Sequence, residues 1–366
     1  MGNDDEIPPF PRKTVQKVDK SSYIINTMEC LSQIYEFTFY FIKNDMPKDK
    51  QIVGDFKEYM KNLWTDDKKL LSPIEFMKNL IKISDQTFSL QIELEPYIFY
   101  EYILYKLNEE LKDFDKDITK YHNNLIEKYK EDKEIQEYLE KYKKENNSIV
   151  SKIFNGIMKI TKVCARCGLD DKREYETFNI LRIDINEFYK EKRKTAFSLE
   201  ECIDYYFEDD KESNSREICN NKDCNGALNK RKIKRSIVEL PNYLIFRINW
   251  GTFTSEIGFN CEIDGIKPSY NCLNVNEIIR IKKSYLNKIS YNGNNKLDSE
   301  KGSSVKFKLF CTINYYNEKK IFITKYKIKE KDNDNWYNFW CNGEGIEKKN
   351  YVDDFTVPCL LFYEKI

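Results

Sequence analysis

Residues 151–185 read SKIFNGIMKITKVCARCGLDDKREYETFNILRIDI. Ile157, Lys159, Thr161 and Val163 fall on one face of a strand, and Met158, Ile160 and Lys162 fall on the other. The chain then turns through Cys164-Ala165-Arg166-Cys167-Gly168, a C-x-x-C knuckle between two strands. A second pair, Cys219 and Cys224, stands in the polar turn CNNKDCNG. Two short-spaced pairs can bring four thiolates to one tetrahedral centre, as in a closed structural zinc site. Cys164, Cys167, Cys219 and Cys224 are therefore the expected ligands of one Zn2+. Four unrelated buried thiols are the alternative, and they would not need this spacing.

Composition narrows what surrounds this knuckle. The chain has 366 residues, with 61 basic and 61 acidic side chains and a formal net charge of zero. That length permits two or three subdomains around a sizeable core. Balanced charge argues against a general nucleic-acid or membrane-surface binder, since neither partner is attracted at long range. Aromatic residues make up 14%, too many for a disordered chain. Residues 1–20 are polar and charged, so no signal peptide is expected, and the apolar run Phe37–Ile42 is far short of a membrane span. Met1-Gly2 would suit myristoylation, but Glu6 stands where Ser or Thr is needed. The cysteines number 11, an odd count, which with no secretory signal fits a reducing cytoplasmic or nuclear compartment.

Outward from the knuckle the pattern alternates between helix and strand. Residues 1–16 read as a flexible tail. A helix is expected from Ser21 or Ser22, either of which can cap it, towards Phe41, with Ile24, Met28, Leu31 and Ile34 or Tyr35 on one face. Ser72-Pro73-Ile74-Glu75 has the form of a capping box opening a helix through Ile81, and Pro96 opens another with Phe99, Ile103, Leu104, Leu107 and Leu111 inward. Residues 113–147 are highly charged; their scattered Tyr, Ile and Leu suggest helix, while the charge suggests a solvated insertion. The single histidine, His122, lies there and is expected on the surface. Phe178–Ile185 alternates as a strand, and Ser198-Leu199-Glu200-Glu201 is a second capping box. A basic strand, Lys230–Val238, leads to the buried strand YLIFRINW. Residues 251–304 look irregular, with a turn at Asn292-Gly293-Asn294, and the last sixty or so positions read as strands.

Taken in order, these pieces resemble the ubiquitin-specific protease family of deubiquitinases. The matching stretches are SSYIINTMECLSQIYEF (21–37), LEPYIFYEYILYKLNEEL (94–111), IFNGIMKITKVCARC (153–167), SLEECIDYYF (198–207), ELPNYLIFRINW (239–250), VKFKLFCTINYYN (305–317), NWYNF (335–339) and VPCLLFYEKI (357–366). The resemblance covers nearly the whole chain from Lys17. It implies an α+β, papain-like fold with a helical thumb (17–112), the charged insertion 113–147, and zinc-bearing β fingers with a β palm (148–366), all in one domain.

The family's reaction is attack by a thiol on the isopeptide carbonyl after the C-terminal glycine of ubiquitin. It needs a cysteine at a helix N-terminus, a histidine to take its proton, an orienting Asp or Asn, and an oxyanion donor. Carried over by resemblance, the cysteine position falls on Ser22, the oxyanion asparagine on Lys17, the histidine on Ile321 or a near neighbour, and the orienting pair on Trp340 and Cys341. Tyr315 stands at a further histidine of the pattern, and no histidine follows His122. The expectation is a pseudoenzyme with no catalytic residue, Ser22 serving as a helix cap. Bulky Ile321, Phe322 and Trp340 are expected to fill the channel that receives the ubiquitin tail. The resemblance then implies a scaffold or binding subunit of a larger intracellular assembly, with protein partners, ubiquitin among the candidates, and neither nucleic acid nor membrane. A non-cleaving ubiquitin reader and a deubiquitinase with relocated catalytic groups are the alternatives.

Overall fold

A computed structural model describes residues 14–16, 18, 20–47, 49–65, 70–85, 87–208, 212–219, 221–224, 228–260, 272–287, 304–330, 333–340, 345–348 and 356–366. A helical layer comes first. It comprises α1 (Ser22–Ser32), α2 (Tyr35–Lys43), α3 (Gln51–Thr65), α4 (Ile74–Ile83), α5 (Pro96–Leu111), α6 (Lys116–Lys128), α7 (Lys133–Asn146) and α8 (Ile149–Phe154). Two short strands accompany it, β1 (Thr14–Val15) and β2 (Leu70–Leu71), paired in parallel. The expected tail therefore reaches into a strand, and Val15 is buried.

Two sheets follow. One is built from β3 (Gly156–Cys164) and β4 (Asp170–Phe178), joined further along by β7 (Glu212–Ile218) and β8 (Leu228–Glu239), in the order β4-β3-β8-β7. Between these pairs come β5 (Leu181–Asp184), α9 (Ile185–Lys192), β6 (Phe197–Ser198) and α10 (Leu199–Tyr206). The larger sheet takes β5, then β9 (Tyr243–Asn249), β14 (Ser304–Tyr316), β15 (Ile321–Glu330), β16 (Asn333–Trp340), β17 (Gly345–Lys348) and β18 (Thr356–Lys365). Its order is β17-β16-β15-β14-β18-β9-β5, with β13 (Ile278–Lys282) paired to β14. The stretch that looked irregular in sequence holds β10 (Thr252–Thr254), β11 (Gly258–Asn260) and β12 (Leu273–Asn274) besides β13. The turn expected at Asn292-Gly293-Asn294 lies outside the described residues.

Local chemistry explains most of these boundaries. Ser198 and Glu201 make the reciprocal capping box at α10, with the Ser198 N–H donating to Glu201 at 2.8 Å and the Glu201 N–H to Ser198 at 3.2 Å. The box expected at Ser72 does not form: Pro73 holds the cap position without a side-chain bond, and Glu75 turns to Lys78 instead, at 3.1 Å. The helix expected to run from Ser21 towards Phe41 is broken between Ser32 and Tyr35. Thr38 Oγ1 donates to the Ser32 carbonyl at 3.0 Å, satisfying an end of α1 that a continuous helix would have satisfied itself. Gly156 is forced by packing, because a Cβ there would lie 2.2 Å from the Phe178 ring.

The charged stretch 113–147 folds as an amphipathic helical hairpin packed on the four-stranded sheet. Asp115 and Asp132 cap α6 and α7, and Leu125, Tyr129, Ile135, Leu139 and Tyr142 pack with Ile157 and Val238. Tyr129 donates to the Val238 carbonyl at 2.7 Å. His122 is buried rather than on the surface, 1% exposed, because it lies on the inward stripe with Ile118 and Leu125. Its Nε2 is 3.1 Å from Ser151 Oγ. Among the described residues, no helix is long and apolar enough to cross a membrane.

Candidate functional site

Helix α1 is buried along its whole length, with both sheet and helices around it. Its polar side chains must therefore find partners inside the protein. Ser22 is its first residue and is 4% exposed. The Ser22 hydroxyl donates to Glu93 Oε1 and accepts the Phe322 N–H at 2.9 Å. The same Glu93 oxygen accepts the Tyr23 N–H at 2.8 Å. Ser22 is thus not the cap expected of it. Ser21 holds that position without a side-chain cap bond, and its hydroxyl turns away to the Val18 carbonyl at 2.6 Å. The capping oxygen comes instead from Glu93, seventy-one positions along the chain.

Asn26, one turn into α1, holds the facing strand. Its Nδ2 donates to the Ser22 carbonyl at 2.7 Å and to the Phe322 carbonyl at 2.8 Å, and Thr324 Oγ1 donates to Asn26 Oδ1 at 2.8 Å. Phe322 is fully buried, its ring 5.1 Å from Tyr315 and 5.4 Å from Phe253. Ile321, half-buried at the start of β15, pairs with Tyr316 and is not the residue that meets Ser22. The seam is closed as a hydrogen-bonded joint backed by aromatic rings, whereas sequence suggested a mainly apolar fill. Lys17 and Cys341 lie outside the described residues, as does the side chain of Trp340, whose backbone ends β16.

Burial raises the Glu93 carboxyl above its ordinary range, and the bonds from Ser22 and Tyr23 pull it back in part. Glu93 was not singled out in sequence. A half-buried pair stands where α5 begins: Arg247 meets Glu95 at 3.2 Å, and its guanidinium lies 3.5 Å over the Tyr97 ring. A groove of 490 Å³ opens elsewhere, at α5, β4 and α10, lined by Glu101, Tyr105, Asn155, Phe178, Arg182 and Tyr206, and none of Ser22, Asn26, Glu93 or Phe322 borders it.

The cysteine cluster forms at the tip of the four-stranded sheet. The Sγ atoms of Cys164, Cys167, Cys219 and Cys224 all lie within 4.8 Å of one another, and Cys167 and Cys219 are 3.6 Å apart. Zinc–sulfur bonds of about 2.3 Å in a tetrahedron place sulfurs about 3.8 Å apart, so these four thiols fit that ion. Gly168, at φ +72°, lets the knuckle close: its N–H reaches the Cys164 carbonyl at 2.9 Å. Arg231 pairs with Cys164 across the sheet, is 1% exposed, and donates to the Ile218 carbonyl beside Cys219 at 2.7 Å. It places a fixed positive charge next to a centre that would carry net negative charge, a role hidden in the run of basic residues on β8.

Comparison with known proteins agrees with this architecture. The family described as ubiquitin carboxyl-terminal hydrolase matches residues 16–347. Ubiquitin carboxyl-terminal hydrolase Usp2 of Drosophila melanogaster is 21% identical over 244 residues, covering 64% of this chain and 24% of that protein. The chain thus spans less than a quarter of that relative's length. Among solved structures, the SAGA Ubp8/Sgf11/Sus1/Sgf73 DUB module bound to ubiquitin aldehyde has a chain that matches with a TM-score of 0.65 at 15% identity, covering 100% of this chain and 72% of that one. A structure of the yeast SAGA DUB module carrying a mutant Sgf73 matches at 0.63 and 15%, covering 97% and 69%. The helical thumb, the β palm and the β fingers with their cysteine tip are those of that fold. The chain belongs to the ubiquitin carboxyl-terminal hydrolase family, in its ubiquitin-specific protease branch.

Proposed function

We propose that this chain is a catalytically inactive member of its family, acting as a scaffolding or binding subunit of a larger intracellular protein assembly. The sealed position of Ser22 carries the reading. Its proton is committed to Glu93 and a lone pair to the Phe322 amide, at 4% exposure, so neither a thiolate nor an approaching carbonyl has a place there. Ile321 supplies no imidazole, and no histidine follows His122 in the chain. The sulfur nucleophile is missing as well.

Support for a binding role comes from what is kept. The fingers hold a four-cysteine tip that suits Zn2+, with Cys164, Cys167, Cys219 and Cys224 as its ligands. Bound there, the ion would cross-link β3 to the β7–β8 turn; the cysteines, Gly168 and Arg231 shape and balance the site. The SAGA module whose fold this chain shares is an assembly with Sgf11, Sus1 and Sgf73, and it holds ubiquitin aldehyde. By analogy this chain offers its surface to protein partners. The retained finger sheet also favours a second reading, a ubiquitin contact without cleavage.

A ubiquitin-based suicide probe tests the first part, and it should leave the protein unlabelled. Labelling that disappears in Ser22→Ala would overturn the proposal in favour of relocated chemistry. Titration with monoubiquitin then separates the readings: saturable binding supports the reader, and its absence together with stable co-purifying subunits supports the scaffold.

A further inference from the structure

Cys30 on α1 and Cys311 on β14 stand with their Sγ atoms 2.9 Å apart, both fully buried. They are separated by 281 positions in sequence, and they join the central helix of the thumb to the middle of the palm sheet. That separation exceeds a disulfide bond length of about 2.04 Å by only roughly 0.9 Å. Cys311 is anchored in the ladder between Tyr326 of β15 and Phe362 of β18, and Cys30 lies 3.9 Å from Thr324 Oγ1. Neither thiol belongs to the finger tip, and neither has a part in the reading of Ser22.

We propose that Cys30 and Cys311 form an oxidant-driven disulfide that locks thumb to palm, with a hydroperoxide as the oxidant. One thiol, as thiolate, attacks the outer peroxide oxygen; the O–O bond breaks, an alcohol or water leaves, and a sulfenic acid forms. The second thiol then displaces the sulfenic hydroxyl as water. Two thiols and one hydroperoxide become one disulfide, one alcohol (water from hydrogen peroxide itself) and one water. The sulfurs lose two electrons and the peroxide oxygens gain them.

Burial raises the Cys311 thiol well above its ordinary range, so reaction waits on brief opening of the thumb against the palm. Such a lock is reversible by thiol reductants. It also closes a very long loop, so it should raise thermal stability markedly.

The full-length zinc-loaded protein, reduced and freed of reductant, is treated with hydrogen peroxide, and its free thiols are alkylated in denaturant. Peptide mapping should find a Cys30–Cys311 cross-link. The melting temperature should rise by several degrees and return on adding dithiothreitol. Cys30→Ser and Cys311→Ser should each abolish both the cross-link and the rise; Cys202→Ser should abolish neither. Oxidation that pairs the finger cysteines while Cys30 and Cys311 remain free thiols would overturn the proposal. A cross-link without a reversible stability rise would overturn the lock.

Discussion

Glu93 Oε1 accepts the backbone N–H of Tyr23 at 2.8 Å, at the first turn of α1. The start of a helix carries partial positive charge from its unpaired amides, and anions are stabilised there by about 0.3–1 kcal/mol or more when partly buried. By the proposed correspondence with the family's cysteine position, that place is where a catalytic thiolate would gain its stabilisation. Here an internal carboxylate already occupies it.

Replacing Ser22 with cysteine should therefore give an unreactive thiol. Glu93 would repel the thiolate and burial would penalise it, so its pKa should lie above the ordinary value of about 8.5. Alkylation of Ser22→Cys in the otherwise unchanged protein, read at that position by peptide mapping and followed against pH, should be slower near pH 7 than that of an unfolded peptide control. Rapid labelling would show that Glu93 does not hold the position.

The aromatic backing of the seam predicts a core-type loss. Phe322→Ala removes a fully buried ring packed on Tyr315 and Phe253, which should cost about 3–5 kcal/mol in denaturant unfolding. If the position were an open channel in solution, the loss would be near zero.

Glu29, buried in α1, has its carboxyl raised from 4.5 to about 8, chiefly by desolvation, with Gln33 pulling the other way. The folded state then binds a proton that the unfolded state gives up. Stability attributable to this group is present below about pH 4.5 and is lost as pH rises towards 8, at up to ~1.4 kcal/mol per pH unit. Glu29→Gln keeps the shape and removes the titration. Its melting temperature should exceed that of the wild type near pH 8, and the gap should narrow towards pH 5.

His122 acts in the opposite sense. Burial first, and then Lys143, lowers it from 6.5 to about 4. The unfolded state takes up a proton sooner, so stability present above pH 6.5 is lost as pH falls towards 4, again at up to ~1.4 kcal/mol per unit. Comparing His122→Gln with wild type across that range should show a flatter acid limb in the variant. Equal slopes would mean that the imidazole is exposed in solution.

Removal of zinc by a chelator should loosen the finger tip before anything else. Hydrogen exchange in β7, β8 and the end of β3 should quicken by roughly tenfold or more, while α1 and β14 keep their protection. Cys164→Ser should reproduce the pattern. Protein that contains no zinc as purified, and exchanges alike with and without chelator, would remove the metal from the account.

The cysteine knuckles could be read in sequence because their geometry is local: two and four intervening residues dictate where each thiolate can point. The Ser198 box was legible for the same reason. Glu93 and Glu29 were not, because their meaning comes from partners at other places in the chain, Ser22 for one and a surrounding core for the other. Over 113–147 the scattered Tyr, Ile and Leu suggested the helices, but the charge hid their packing: Ile118, Leu125, Tyr129, Ile135, Leu139 and Tyr142 form an inward face. Helix α3 gives a weak sequence signal for a related reason, since Ile52, Phe56, Tyr59 and Leu63 are diluted among polar residues. The break between α1 and α2 is bridged by the Thr38 hydroxyl, which meets the Leu31 and Ser32 carbonyls, and no periodicity reveals it.

The position of β18 in its sheet has a consequence for biosynthesis. It lies between β14 and β9, yet it is made after both. While the ribosome is still producing residues before Thr356, the nascent chain carries two unpaired β edges and a central helix whose partners on β14 and β15 are some 300 positions away. Completion of the palm is thus deferred until β18 has been made, and until then the waiting edges are open to misassociation. This architecture should refold slowly from denaturant and draw on chaperones in the cell.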